Sequence, residues 1–201
     1  MESIERLNYD KHIEETDIEE KNSIFGVIMG YVAEMLVYLA ISIVIILVLR
    51  AFVVQHVRVS GSSMEPTLHD RQHLLIEKIS YKYKDVKRFD VIVFRPYADN
   101  KDLFYIKRVI GLPGETIKIE NNTIYINDKV LKDPYNGDAY IDAKLAKDTI
   151  MLGPEDYFVL GDNREVSKDS REKDIGLLTY DSIIGKAMTK IYPFNDIGKV
   201  K

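Results

Sequence analysis

The chain changes its hydrophobic pattern once, near residue 54. The stretch from Met35 to Leu49 is apolar without a charged residue, and its continuation to Val54 gives 20 positions. At ~1.5 Å per residue, an α-helix of this length spans a hydrocarbon core of ~30 Å. Beyond it, short apolar runs alternate with polar residues at a period of two, which indicates β-strands. The pattern predicts a single membrane-spanning helix followed by a mostly β domain.

We assign residues 24–54 to a transmembrane anchor and residues 1–23 to an acidic tail. The tail has too little apolar content to fold alone, so we expect it to be mobile or only weakly helical. A helix buried in a soluble core is the alternative to the anchor, but Ile, Val and Leu occupy every face of the run. A cleaved signal peptide is disfavoured because the run starts late and is followed by Arg50 and Ala51-Phe52-Val53 rather than by small residues. Lys and Arg are nearly balanced on the two sides, so charge alone does not set the orientation.

Residues 55–201 are expected to form the β domain. Its clearest hairpin is Ile117 to Ile126, where two alternating strands flank an Asn-Asn turn that tolerates positive φ. One helical turn is expected from Ala143 to Lys147. Many short strands favour an antiparallel folded sheet or a partly open barrel, with a small accessory β region around 112–155. The predicted strands are Gln55–Val59, His73–Ile79, Asp90–Arg95, Leu103–Ile110, Thr116–Glu120, Thr123–Asn127, Tyr157–Leu160 and Ile183–Tyr192.

Composition narrows the possible chemistry. A net charge of −4 gives no overall basic field, so no nucleic-acid partner is expected. The absence of cysteine excludes disulfides, thiolate metal sites and a cysteine nucleophile. The four histidines show neither zinc-binding spacing nor a triad motif, so we expect no metal and no cofactor.

A serine and a lysine are the candidates for catalysis. Ser63 lies in a bend rich in Gly and Pro, with Ser60 and Ser62 as competing nucleophiles. A serine hydroxyl needs a base, and lysine can serve only when desolvation lowers its pKa from ~10.4. Lys107 lies in an apolar strand, which suits that role. Taken alone, the strand favours the alternative, in which Lys107 lies on the solvated face of an amphipathic strand.

A polar segment, Gly161 to Arg171, follows later in the chain. Its Asp162 and Asp169 invite an aspartic-protease interpretation. Neither lies in an Asp-Thr/Ser-Gly sequence, however, and a carboxylate dyad would compete with the lysine.

Three motifs in a fixed order carry a family resemblance. They are Ser63-Met64-x-Pro66-Thr67, the segment Tyr105 to Gly114, and the segment Gly161 to Arg171, all behind an amino-terminal anchor. Together they resemble the bacterial type I (leader) signal peptidases, a family of serine–lysine proteases. The resemblance runs from about Leu36 to Val200.

The resemblance implies a membrane-bound endopeptidase that removes amino-terminal signal peptides from exported preproteins, cleaving after small residues at −1 and −3. It also implies a single-pass protein of the cell membrane, with the 1–23 tail in the cytoplasm and the 55–201 domain on the extracytoplasmic side. The expected partners are signal peptides and membrane lipid, and a monomer is expected.

The same resemblance assigns roles to individual residues. Ser63 matches the nucleophile, Lys107 the general base, and Ser167 the serine that hydrogen-bonds and orients the lysine.

The backbone N–H of Ser63 is one oxyanion donor. In some members the hydroxyl of a serine two residues before the nucleophile is the other donor, but here that position is Gly61. Gly61 is typical of another branch of the family, in which a backbone N–H can serve instead, so the N–H of Gly61 is a candidate and the second donor stays open. Residues expected to brace the site are Asp162, Arg108, Asp169 and Arg171. Residues expected to line shallow substrate pockets are Val57, Val59, Met64, Leu68, Tyr105 and Ile106, although Val57 and Leu68 equally suit a plain core.

Two other functions remain open at this level. One is a catalytically silent, membrane-anchored β domain that binds peptides or partner proteins, although such a protein would be expected to lose Ser63 or Lys107. The other is a different serine–lysine hydrolase, such as a self-cleaving repressor, but those are soluble and carry a DNA-binding module. One departure from the family pattern, the polar residues Glu172 to Asp174, is interpreted as a surface-loop insertion.

Overall fold

The computed structural model describes residues 2–48, 54–79, 81, 85–96, 103–135 and 140–201, with only the backbone described for residues 2–24. Residues 49–53 of the predicted anchor lie outside the described residues. The chain forms two units, residues 1–49 with the helix and residues 50–201 with the β domain.

The first unit is one α-helix, α1 (Glu2–Val48). Within it, Phe25–Val48 has the length and composition to cross a membrane, with a mean hydropathy of 2.5 and none of its side chains buried. The acidic tail is helical, whereas we expected mobility or weak helix. Its sequence has no Gly or Pro before Gly26, and each residue that extends an existing helix adds a hydrogen bond without a new nucleation cost. The predicted anchor was also too long, because Val54 begins the first β-strand.

The second unit is built from antiparallel sheets. The strands are β1 (Val54–Arg58), β2 (His73–Glu77), β3 (Val91–Phe94), β4 (Tyr105–Gly111), β5 (Thr116–Glu120), β6 (Thr123–Ile126), β7 (Lys129–Val130), β8 (Ile150–Met151), β9 (Asp156–Leu160), β10 (Leu178–Thr179), β11 (Ile183–Tyr192) and β12 (Gly198–Lys199). An eight-stranded sheet has the order β1-β2-β11-β3-β4-β9-β10, with β12 paired to β11, and a four-stranded sheet has the order β7-β6-β5-β8. The eight-stranded sheet curls into an open half-barrel, which confirms the mostly β, antiparallel fold.

The period-two pattern located every strand that we predicted, each to within two residues at either end. The Asn-Asn hairpin is present, with φ of 49° at Asn121 and 61° at Asn122. A single 3₁₀ turn forms at Lys144–Lys147, as expected. The strands that the sequence missed, β7, β8, β10 and β12, have two residues each. A period of two cannot be read from so short a segment.

An apolar cluster under the β1–β2 bend positions the candidate nucleophile. Met64 and Leu68 project from the bend into this cluster and are 1% and 0% exposed. Fully burying a side chain of this size contributes roughly 1.5–3 kcal/mol, so the two residues hold the bend firmly against the sheet. The other members of the cluster are Val59, Leu74, Ile76, Val91, Val93, Ile106 and Ala187.

Candidate active site

Ser63 occupies the first turn of the bend between β1 and β2. Backbone bonds close the base of the bend: the N–H of Val59 donates to the Gln72 carbonyl at 2.8 Å, and that of Arg71 donates to the Val59 carbonyl at 3.0 Å. Gly61 has a φ of +88°, a conformation that glycine adopts without steric cost. The bend therefore presents the half-buried side chain of Ser63 in a defined position.

Lys107 lies in the middle of β4, paired with Ile92 of β3. Its Nζ is 2.7 Å from the Ser63 Oγ, and it also donates to the Ile106 carbonyl at 3.0 Å. The side chain is only 4% exposed, so the alternative of a lysine on a solvated face is wrong.

Burial lowers the pKa of Lys107 from its ordinary value of 10.5 to about 8. Desolvation dominates because a buried ammonium loses its hydration. The carboxylates of Asp169 and Asp162 oppose the shift, and the guanidinium of Arg171 adds to it. A lysine with such a pKa can act as a base close to neutral pH.

Two buried ion pairs flank the lysine. Arg108 is bidentate to Asp162, at 2.8 Å from Nε and 2.7 Å from a terminal nitrogen. Arg171 is likewise bidentate to Asp169, at 2.8 and 2.9 Å. All four side chains are at most 1% exposed. Each carboxylate therefore has a charge-assisted partner in fixed geometry.

The structure does not show the predicted hydrogen bond between Ser167 and Lys107. Ser167 is buried, and its hydroxyl has no hydrogen-bond partner among the described residues. The donor capacity of the lysine goes instead to Ser63 and to the carbonyl of Ile106. The hydroxyl of Ser167 thus lies near the pair without a bond to it.

Gly161 brings the polar segment into contact with the nucleophile. A Cβ atom at this position would lie 2.3 Å from the Ser63 carbonyl oxygen and 2.2 Å from the Ser167 Oγ. Only glycine fits there. The N–H of Asn163 also donates to the Ser63 carbonyl, at 3.1 Å. The two segments are therefore locked together at the Ser63 backbone.

Sequence reasoning missed a third buried ion pair. Arg164 is 1% exposed, donates to the Gly161 carbonyl at 2.9 Å, and pairs with Asp133 at 2.6 Å. Nearby, the Arg108 guanidinium lies 3.4 Å from the ring centroid of Tyr135. The position of Arg164 inside the Gly161 to Arg171 segment could have indicated that Arg164 belongs to the site. Its partner, however, lies in a loop without a recognisable pattern.

A groove of about 540 Å³ opens over the Ser63–Lys107 pair. The residues that line it include five that we expected at the substrate pockets: Val57, Val59, Met64, Tyr105 and Ile106. The prediction for Leu68 was wrong, because its side chain is fully buried in the apolar cluster and does not reach the groove. The remaining lining residues are Arg58, Ser60, Gly61, Ser62, Leu103, Phe104, Val166 and Lys168.

The two predicted oxyanion donors differ in availability. The N–H of Ser63 has no acceptor in the described part of the chain. The N–H of Gly61 instead donates to the Asp70 carboxylate at 2.9 Å. The N–H of Gly61, the candidate for the second oxyanion donor, is therefore already bonded to the Asp70 carboxylate.

The groove lies between two unpaired strand edges. On one side, β1 is the edge strand of the larger sheet, paired only with β2 in the described chain. On the other, β4 pairs with β9 only from Arg108 onward, which leaves one edge at Tyr105 to Lys107 open. Open strand edges offer backbone donors and acceptors to an extended peptide.

A serine hydroxyl in contact with a buried, low-pKa amine at the floor of a peptide-sized groove is an arrangement in which the amine can accept the hydroxyl proton. Comparison with known proteins identifies the family. The family described as signal peptidase, peptidase S26, matches residues 32–192, and the chain belongs to this family of serine endopeptidases.

Two relatives support the assignment, and one solved structure is similar in sequence. Signal peptidase I of Bacillus licheniformis is 36% identical over 193 residues, covering 92% of this chain and 98% of the relative. Signal peptidase IB of Staphylococcus aureus (strain Mu50 / ATCC 700699) is 35% identical over 178 residues, covering 81% and 91%. A solved signal peptidase I from Enterococcus faecalis V583 is 33% identical, with a TM-score of 0.42 and coverage of 51% of this chain and 97% of that one. Family membership and the apolar helix together indicate a membrane-anchored protein.

Proposed function

We propose that this chain removes signal peptides from exported preproteins, through an acyl-enzyme on Ser63 with Lys107 as the general base. One observation carries the proposal: a buried lysine amine lies 2.7 Å from the hydroxyl of a serine that lines the groove. The names of the relatives, signal peptidase I and IB, supply the substrate class.

The first half of the reaction forms the acyl-enzyme. The neutral amine of Lys107 accepts the Ser63 hydroxyl proton while the oxygen attacks the scissile carbonyl carbon. The N–H of Ser63 donates to the oxyanion that develops. The lysine ammonium then gives its proton to the leaving amine, the C–N bond breaks, and the mature protein departs. In the second half, Lys107 takes a proton from water, hydroxide attacks the ester, and the Ser63 oxygen is reprotonated as the signal peptide leaves.

The lowered pKa makes this role quantitatively reasonable. With a pKa of about 8, roughly one Lys107 in ten is neutral at pH 7. At the ordinary value, the fraction would be about one in three thousand. Desolvation thus increases the active form roughly 300-fold.

The shape of the groove supports cleavage after small residues. An extended substrate between the open edges of β1 and β4 would project alternate side chains toward the apolar floor. Val59, Met64 and Ile106 are at most 9% exposed and leave little depth there. Small residues at −1 and −3 fit such a floor, as the rule for signal-peptide cleavage sites requires.

The location follows from the same proposal. Signal peptides emerge on the far side of the membrane, so the β domain would act on the extracytoplasmic side while the acidic tail stays in the cytoplasm. The Phe25–Val48 helix supports a single-pass anchor in the membrane. We further propose that a monomer suffices, since both members of the catalytic pair come from one chain.

The test is cleavage of a model preprotein by the full chain in detergent, with the cut bond mapped by mass spectrometry. Ser63→Ala and Lys107→Ala should each lower turnover by roughly 10³-fold or more, because neither half of the pair works alone. Ser62→Ala is the matched serine control, since Ser62 also lines the groove. Lys173→Ala is the lysine control, and both controls should remain active.

Substantial turnover by Ser63→Ala, or loss of turnover in Ser62→Ala alone, would assign the nucleophile elsewhere. A wild-type chain that binds the preprotein without cutting it would instead support the silent binding domain.

A further inference from the structure

The charge of the groove is one-sided. Among the described residues, no Asp or Glu lines it, whereas Arg58, Lys107 and Lys168 do. Lys107 must be neutral to act as the base, and Lys168 forms an ion pair with Asp174. Arg58 has no hydrogen-bond or ion-pair partner among the described residues and is exposed. Within the described ranges, Arg58 is therefore a groove-lining cation without a counter-charge.

The strand geometry defines which part of a substrate Arg58 would meet. The N–H and C=O of Val59 are bonded to Gln72 and Arg71, toward β2. Neighbouring residues of a strand direct these groups to opposite edges, so those of Arg58 point to the open edge. Side chains alternate as well. Val57 and Val59 face the apolar cluster, and Arg58 lies on the other face of the strand.

We propose that Arg58 makes this enzyme prefer an acidic side chain at the −2 position of its substrate. The inference rests on the proposed function, in which −1 and −3 occupy the apolar face. Ser63 follows Val59 along the chain, so −1 lies beside Val59, −2 beside Arg58 and −3 beside Val57. The −2 side chain then shares the face of Arg58, with Cβ atoms at the ~5 Å separation of cross-strand neighbours.

The expected effect is modest because the arginine is exposed. Opposite charges on adjacent strands favour a pair by a factor of roughly 1.5 to 5, and like charges disfavour it similarly. An Asp substrate should therefore exceed its Lys counterpart by roughly tenfold in kcat/KM at low salt. Because the charges are solvent-exposed, the ratio should shrink at high ionic strength.

The experiment uses the full chain in detergent and one model preprotein with Asp, Asn or Lys at −2. Three enzymes are compared with the wild type: Arg58→Gln, Arg58→Glu and the control Arg71→Gln. Arg71 is an exposed arginine that does not line the groove, so the control removes the same charge elsewhere. The Asp/Lys ratio of kcat/KM is the readout, since it cancels differences in the amount of folded enzyme.

Wild type and Arg71→Gln should prefer Asp, Arg58→Gln should lose most of the preference, and Arg58→Glu should prefer Lys. An unchanged Asp/Lys ratio in Arg58→Gln, or an equal loss in Arg71→Gln, overturns the inference. Those results would leave the proposed function intact, since cleavage would continue. Failure of the proposed function would appear differently, as no cleavage of any substrate or as cleavage that persists in Ser63→Ala.

Discussion

Replacing Lys107 with Met should change how stability depends on pH. Met has nearly the same length and fills the same space without a charge. In the wild type the folded-state pKa is about 8 against 10.5 unfolded, so folding with a charged lysine costs about 3 kcal/mol below pH 8. The Met variant does not carry this cost, although it loses the bonds to Ser63 and Ile106.

The direction in which wild-type stability changes with pH follows from proton binding. Between about pH 8 and 10.5, the unfolded wild-type chain still holds a proton that folded Lys107 has released. Wild-type stability therefore gains from Lys107 as pH rises through this window. Relative to the Met variant, the unfolding free energy of the wild type should increase by about 2–3 kcal/mol from pH 7 to pH 10. Burial raises the pKa of Tyr81 and Tyr157, which lowers stability at high pH, but it does so in both proteins.

The assay is urea unfolding of the full chain in detergent, followed by far-UV circular dichroism at pH 7, 8, 9 and 10. The quantity of interest is the difference in unfolding free energy between wild type and Lys107→Met at each pH. That difference should move in favour of the wild type as pH rises. Parallel curves for the two proteins would mean that Lys107 keeps an ordinary pKa, and the proposed base would lose its physical support.

Three further predictions concern activity and stability. The kcat/KM for preprotein cleavage should rise with pH to a plateau, with a midpoint near the Lys107 pKa of about 8; an optimum in acid would point to carboxylate chemistry. Asp162→Asn should destabilise the domain by about 3–5 kcal/mol in urea unfolding because it leaves Arg108 buried without its counter-charge, and a loss under about 1 kcal/mol would contradict the ion pair. Gly161→Ala should lower kcat in the same cleavage assay, since its Cβ would lie 2.3 Å from the Ser63 carbonyl, and full activity would contradict this contact.

The sequence predicted the strands well because their signal is local. Alternation along Thr116–Glu120 and Ile183–Tyr192 located both strands to the residue. The helical tail was missed because composition describes a segment in isolation. In the chain, residues 2–24 continue a helix that the apolar segment already nucleates.

The site was predicted as a set of residues rather than as a geometry. Motif order could pair Ser63 with Lys107, but only the fold shows that the bend brings the hydroxyl to 2.7 Å from the amine. Long-range partners carry no local signal, which is why the Arg164–Asp133 pair escaped notice. Burial of Leu68 likewise depends on the sheet beneath it, so an apolar residue beside the nucleophile was mistaken for a pocket wall.

The buried ion pairs limit how far the nearby carboxylates raise the pKa of Lys107. Asp162 and Asp169 both raise the pKa of Lys107, so two bare carboxylates would keep the amine protonated. Each carboxylate is bidentate to its own arginine, and the guanidinium of Arg171 itself opposes protonation. Because the charges of the two acids are largely neutralised, desolvation remains the dominant influence on the pKa of the Lys107 amine. The pairs can therefore hold Gly161 and the nucleophile in place without charging the base, a balance that neither apolar residues nor acids alone would give.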